Sequence, residues 1–311
     1  MPQPQIFAGS AQYPEMAPQP VVTIGNFDGV HCGHHHLLSA LRRRAEALGA
    51  PSCVYTFEPP PRVLLAPKLR QPRIMPWTDK IRLIGEAGID QVVVERFTRS
   101  FAQHPPEWFL SEILQRRLRA QALVVGYDFR FGRARGGDVG FLHRHAPHLP
   151  VEQVQPHIDG EAVVSSSLIR TLVSEGNVAQ ASAFLGRPHV VLGTVVAGDQ
   201  RGRRMGFPTA NVETNDELIP AGGVYAVRMR TNRTGPWRPA VANLGTRPTF
   251  GSNGHFCIEV HVIDFRGDLY GDEVQVAFVD RIRDELTFAG MGELMQQLHR
   301  DVDVARTRLQ R

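Results

Sequence analysis

The chain changes its hydrophobic period near Pro188, and no single type of sheet satisfies both halves. Before that point short apolar runs alternate with helical patterns. Residues 21–24, 52–57, 89–95 and 122–126 have the composition of buried strands, the second stopped by Pro59, Pro60 and Pro61. Between them, Leu37, Leu38 and Leu41, then 79–85 and 108–118, follow helical spacing. Strands alternating with helices predict a parallel α/β sheet with right-handed crossovers, whose ligands sit at the carboxyl ends of the strands. After Val190 the period is two: Phe256, Ile258, Val260 and Val262 share one face, and Glu259 and His261 take the other. Residues 224–230 and 274–279 are further strands, with turn signals at Gly222-Gly223, Gly235-Pro236 and 251–254. Short strands so punctuated predict an antiparallel barrel, closed by an amphipathic helix over 291–309. A helix from about 165 to Leu185 stops at Gly186-Arg187-Pro188, so the domains are placed at 1–186 and 187–311.

With 311 residues, 42% of them hydrophobic, the chain has material for two cores. The net charge of +4 is small for that length, and the arginine runs at 42–44 and 116–119 lie inside helical patterns as solvated faces. No aromatics interleave with them, so a nucleic-acid partner is not expected. The three cysteines, Cys32, Cys53 and Cys257, are odd in number and scattered, which fits a reducing cytoplasm. The first twenty residues are polar and proline-containing, and no run of 18 apolar residues follows. The expectation is a cytoplasmic protein with a frayed N-terminus and no membrane partner.

Four stretches carry chemistry. The first is Gly25-Asn26-Phe27-Asp28-Gly29-Val30-His31-Cys32-Gly33-His34, between a strand and a helix, where free N–H groups and the helix dipole favour a phosphate. His31 and His34, three apart, lie on one helical face. A metal site is the alternative, though adjacent ligands such as His34, His35 and His36 seldom converge on one centre. The second, Gly126-Tyr127-Asp128-Phe129-Arg130-Phe131-Gly132, follows the strand at 122–126 and serves either packing or a ligand. Third comes Ser165-Ser166-Ser167-Leu168-Ile169-Arg170, a helix cap whose hydroxyls and arginine also suit phosphate. In the fourth, 198–211, glycines and arginines precede Gly206-Phe207-Pro208-Thr209-Ala210-Asn211, where Thr209 and Asn211 offer hard oxygens suited to Mg²⁺. An irregular surface loop is the plain alternative, and a mobile lid at 198–206 the functional one.

The Gly-Asn-Phe-Asp-Gly-Val-His-x-Gly-His string resembles the adenylylating half of bacterial bifunctional riboflavin kinase/FMN adenylyltransferases. Gly-Phe-Pro-Thr-Ala-Asn, with Asn243-Leu244-Gly245-Thr246-Arg247-Pro248-Thr249, Glu259-Val260-His261 and Arg283-Asp284-Glu285, resembles their kinase half. The resemblance spans 21–288 and implies a Rossmann-like nucleotidyltransferase domain followed by a riboflavin kinase barrel. It implies riboflavin, FMN and ATP as substrates, with Mg²⁺, and for further partners at most weak self-association. Residue by residue, it implies catalytic roles for His31, His34, Arg170 and Glu259, with metal held by Thr209 and Asn211. Ligand contacts are implied for Gly25, Asn26, Phe27, Gly33, Asp128, Phe129, Ser166, Ser167, Gly206, Pro208, Asn243 and Arg283. A nucleotidyltransferase with another acceptor leaves the second half without a task, and a flavin-binding regulator needs affinity alone; flavin chromatography after incubation with ATP separates the three.

Overall fold

The structure, a computed structural model describing residues 3–66, 71–198, 206–214, 218–246 and 256–310, changes architecture where the period changes. By packing, the chain divides into two units, Met1–Gln71 with Pro76–Ser165 and Pro72–Met75 with Ser166–Arg311. The first contains the parallel sheet. Its strands are β1 (Gln5–Phe7), β2 (Val21–Ile24), β3 (Ser52–Glu58), β4 (Gln91–Arg96), β5 (Ala122–Gly126) and β6 (Val151–Val154), in spatial order β1-β4-β3-β2-β5-β6. Succession runs outward from β2 through β3 and β4, then restarts on its other side with β5. The carboxyl end of β2 therefore opens at a topological switch point, the ordinary ligand position of such sheets. Val21, Val22, Val54, Val92 and Leu123 are fully buried, as strands covered on both faces require. The helix Cys32–Leu48 buries Leu37, Leu38, Ala40, Leu41 and Ala45 on this sheet and ends at Gly49 in a left-handed C-cap.

One expectation fails in this unit and another is refined. Residues 5–13 are not frayed: β1 pairs in parallel with β4, and Ser10 donates from its N–H and hydroxyl to Glu95 at 2.9 and 2.6 Å. Tyr13 donates to buried Gln91 at 2.8 Å, and Phe7 packs on its ring. Few apolar residues mark this arm because side-chain hydrogen bonds hold it. The helix over 108–118 is also not a plain α-helix; Phe109–Arg117 is π-wound, with Leu118 N–H donating to the Ile113 carbonyl at 3.0 Å.

The second unit is a closed antiparallel barrel, as the alternation predicts. Its strands β9 (His189–Val196), β10 (Ala210–Thr214), β11 (Gly223–Thr231), β12 (Arg238–Thr246), β13 (Phe256–Val262) and β14 (Glu273–Arg283) follow the order β10-β13-β12-β11-β14-β9; β7 (Ile158–Asp159) and β8 (Ala162–Val163) form a small hairpin in the first unit. Val212, Tyr225, Val227, Ala242, Leu244, Ile258, Val260 and Phe278 fill the barrel. Outside it, Val224, Ala226 and Val241 pack on Ala305 and Leu309 of the closing helix Met291–Leu309, at the bounds the sequence predicts. The helix expected to run to Leu185 is two helices, Ser166–Ser174 and Val178–Leu185. Gly176 breaks it at φ 81°, and a Cβ there would come within 2.6 Å of the Tyr225 hydroxyl, so close packing on the barrel selects glycine.

Candidate active sites

The loop leaving β2 is bent by left-handed residues, Phe27 at φ 50°, Gly29 at 87° and Val30 at 35°. A β-branched residue rarely adopts such an angle. Here burial holds it, since Phe27 and Val30 are 1% and 0% exposed. The Gly25 N–H donates to the Tyr55 carbonyl at 3.1 Å, tying the loop to β3, while Asn26 is exposed.

His31 then caps the helix Cys32–Leu48. The His34 N–H donates to His31 Nδ1 and the His31 N–H donates to His34 Nδ1, both at 3.3 Å. This is a reciprocal capping box in which two imidazoles replace the usual hydroxyl and carboxylate. The geometry assigns both tautomers: an accepting Nδ1 in a neutral ring leaves the proton on Nε2. The rings stack at 3.6 Å between centroids, with Phe27 supporting His34 at 5.1 Å. Two imidazolium charges so close would repel and would forfeit both caps, so the capped geometry is that of neutral rings carrying Nε2–H. Gly33 permits this approach, because a Cβ there would lie 3.1 Å from His31 Nδ1 and 3.2 Å from the Val164 carbonyl. At a helix N-terminus, such donors suit a phosphate.

The other expected residues of this half are placed less uniformly. Asp128 is exposed beyond β5, whereas Phe129 is 7% exposed and stacks on Phe131 in the core, so its ring serves packing. In the second unit Ser166 opens its helix and Ser167 is exposed, while Arg170 donates from Nε to the Pro72 carbonyl at 3.1 Å and from Nη1 to the Ser166 carbonyl at 3.3 Å. Its guanidinium is thus already oriented by backbone acceptors. Sequence reasoning misses Lys80, buried at 5% exposure on the helix Trp77–Glu86, with Nζ donating to the Asn26 carbonyl at 3.3 Å and to the Thr56 hydroxyl at 3.2 Å. The available signal is its place one turn before Ile84, on the apolar face.

In the barrel, strand register assembles the site. Asn211 on β10 pairs with Glu259 on β13, Glu259 with Asn243 on β12, Asn243 with Val224 on β11, and Val224 with Arg283 on β14. Directly opposed residues point to the same side of a sheet, so Asn211, Glu259 and Asn243 form one polar row on the outer face. Asn211 is buried, Glu259 half-buried and Asn243 exposed, a gradient from dry to wet. Gly198 makes room for the amide, since a Cβ there would approach Asn211 Nδ2 to 2.0 Å. Thr209 is half-buried just ahead of β10. Gly206 and Pro208 are exposed, Gly206 at φ 79°, and His261 Nδ1 donates to the Pro208 carbonyl at 2.9 Å. Arg283 forks onto Asp301 of the closing helix at 2.7 and 3.0 Å, and Asp301 is 1% exposed. Of the lid expected at 198–206, residues 199–205 lie outside the described residues, as do 247–249 of the asparagine segment. Among the described residues, no group of three or more histidine, cysteine or acidic side chains is arranged to hold a metal.

A parallel sheet with a histidine-capped loop at its switch point, followed by an antiparallel barrel with a carboxylate between two amides, is the architecture of a two-domain α/β and β-barrel protein. The FAD synthetase family model matches residues 14–168 and the riboflavin kinase family model residues 185–309. The bifunctional riboflavin kinase/FMN adenylyltransferase of Escherichia coli strain K12 is 40% identical over 288 residues, 92% of this chain and 91% of that protein. Its counterpart in Listeria monocytogenes serovar 1/2a is 35% identical over 284 residues, 90% of each. A crystal structure described as a macrolide-efflux protein from Streptococcus pneumoniae matches with a TM-score of 0.88 at 30% identity, covering 98% of this chain and 99% of that one. Among the described residues no helix is long and apolar enough to cross a membrane. This chain belongs to the bifunctional riboflavin kinase/FMN adenylyltransferase family.

Proposed function

We propose that the chain makes FAD from riboflavin in two ATP-using steps, with residues 187–311 phosphorylating riboflavin to FMN and residues 1–186 adenylylating FMN. In the first step the riboflavin 5′-hydroxyl oxygen bonds to the γ-phosphorus of ATP as the β–γ bridging bond breaks, releasing ADP. Glu259 takes the hydroxyl proton. Its register opposite Asn211 is the observation that carries this assignment, because it sets a proton acceptor beside a hard amide oxygen. Asn211 and Thr209 are the residues to hold Mg²⁺, and an oxygen-donor set of one buried amide and one half-buried hydroxyl fits a hard cation. Bound there, the ion neutralises charge on the ATP phosphates. Asn243, Gly206 and Pro208 line the same side of the barrel reaction, and Arg283 holds the closing helix beside it.

In the second step a phosphate oxygen of FMN bonds to the α-phosphorus of ATP as the α–β bridging bond breaks, releasing pyrophosphate. The nucleophile is already anionic near neutral pH, so no base is required. His31 and His34 donate through Nε2 to oxygens on which charge develops. Ser166, Ser167 and Arg170 take the triphosphate oxygens, and Gly25, Asn26, Phe27, Gly33, Asp128 and Phe129 form or support the ligand loops.

Flavin chromatography after incubation with riboflavin, ATP and Mg²⁺ tests this. His31→Ala or His34→Ala is expected to abolish FAD while FMN accumulates; Glu259→Ala is expected to abolish FMN formation while supplied FMN still becomes FAD. Loss of both activities from either change in a folded protein defeats the one-reaction-per-domain assignment.

A further inference from the structure

The phosphate loop rests on a cation that its motif does not contain. Lys80 comes from the helix Trp77–Glu86, is 5% exposed, and donates to the Asn26 carbonyl and the Thr56 hydroxyl at 3.3 and 3.2 Å. Thr56 also donates to the Asn26 carbonyl, at 3.4 Å, so hydroxyl and ammonium converge on one backbone oxygen. Burying an ammonium is costly, and an uncharged side chain of equal length would pack there at lower cost. Part of that charge is directed at one peptide group, through the Asn26 carbonyl. The Asn26–Phe27 bond is trans, so its C=O and N–H point in opposite directions. With the carbonyl drawn inward to Lys80, the Phe27 N–H faces the other side of the loop. The left-handed turn at Phe27, Gly29 and Val30 starts from that peptide and delivers His31 to the helix cap.

We propose that Lys80 is a positioning residue for adenylyl transfer, its buried ammonium fixing the Asn26–Phe27 peptide so that the loop offers its N–H side and its histidine pair to phosphate. The inference rests on the adenylyl reading of this loop. Lys80 acts through the backbone, as charge-assisted hydrogen bonds to a carbonyl do. An unclamped peptide is free to rotate, which turns a donor into an acceptor facing an anion. Turnover is then lost more than affinity.

Lys80→Met in the full chain is expected to lower kcat for FAD formation from supplied FMN on the order of 100-fold, with KM for FMN changed only a few-fold. Riboflavin phosphorylation by the same preparation stays at the parent rate, and the thermal midpoint and near-ultraviolet circular dichroism are kept. Lys80→Gln, which retains amide donors, is expected to recover part of the loss and decides the matter if the methionine variant is poorly folded. Unchanged FAD turnover in both variants, in a background where His34→Ala abolishes it, overturns the role of Lys80. FAD turnover that survives His34→Ala itself overturns the underlying reading instead. A loss that tracks a fallen thermal midpoint equally in both variants marks Lys80 as structural only.

Discussion

The two candidate sites are held in place by different means. In the parallel sheet the histidine pair stands where a loop enters a helix, His31 as cap and His34 in the first turn, and its geometry depends on left-handed backbone at Phe27, Gly29 and Val30 and on two imidazoles capping each other's N–H. In the barrel, Asn211, Glu259 and Asn243 stand on three hydrogen-bonded strands, and ladder register alone brings them into a row. A loop-built site stores local strain and concentrates its weakness in a few dihedrals. Among the described residues, the ladder-built row of Asn211, Glu259 and Asn243 has no left-handed residue to lose, and it fails when the barrel around it loosens.

The largest expected effect that sharpens this contrast is at the barrel's outer clasp. Asp301→Ala leaves the Arg283 guanidinium, 18% exposed, without its carboxylate and is expected to cost about 3 kcal/mol of barrel stability. Denaturant unfolding followed through each activity should show kinase activity lost at lower denaturant and FAD formation from FMN little moved. Coincident loss of both activities breaks the contrast.

Acid should act on the barrel in a similar way through His189. Burial pushes its imidazole down from the ordinary 6.5 to about 4, with Arg187 adding to the effect and the hydrogen bond to the Leu218 carbonyl opposing it. The unfolded chain therefore takes up the proton first. Stability is full above pH 6.5 and falls as pH drops toward 4, by about 3 kcal/mol in all. His189→Gln, read by thermal midpoints across that range, should flatten this part of the pH dependence.

A more local effect is expected at Gly198. Gly198→Ala places a methyl within 2.0 Å of Asn211 Nδ2 and displaces the amide from the polar row. Riboflavin phosphorylation should fall on the order of 100-fold while FAD formation from supplied FMN is unchanged. The smallest effect belongs to the loop: Gly29→Ala at φ 87° should cost about 1 kcal/mol of stability and lower FAD formation alone. Equal slowing of both reactions in the Gly29 variant would erase the distinction between the sites.

Several elements were legible because their determinants are neighbours in sequence. The alternation of Ile258, Val260 and Val262 announces a strand with Glu259 on its other face, and all three are buried in the barrel. His31 and His34, one helical turn apart, announce a shared face and indeed cap each other. Local pattern also places the helix Met291–Leu309 and the stop at Gly186, which is left-handed at φ 72°. Phe129 shows the limit: an aromatic beside charged residues at a strand end has the same sequence signature whether it serves a ligand or the core, and its stacking on Phe131 is visible only in the fold.

By itself the sequence determined the two periods, the strand–loop–helix around His31 and the identity of the polar residues, since these follow from interactions within a turn or along a strand. Tertiary structure alone decided that Asn211 opposes Glu259, that Lys80 lies under Asn26, that β1 joins the sheet edge and that Arg283 clasps Asp301. Those pairings join residues distant along the chain. Register, burial and the direction of a carbonyl are set only when the whole core closes, because a one-residue slip of any strand would reverse which face each side chain takes.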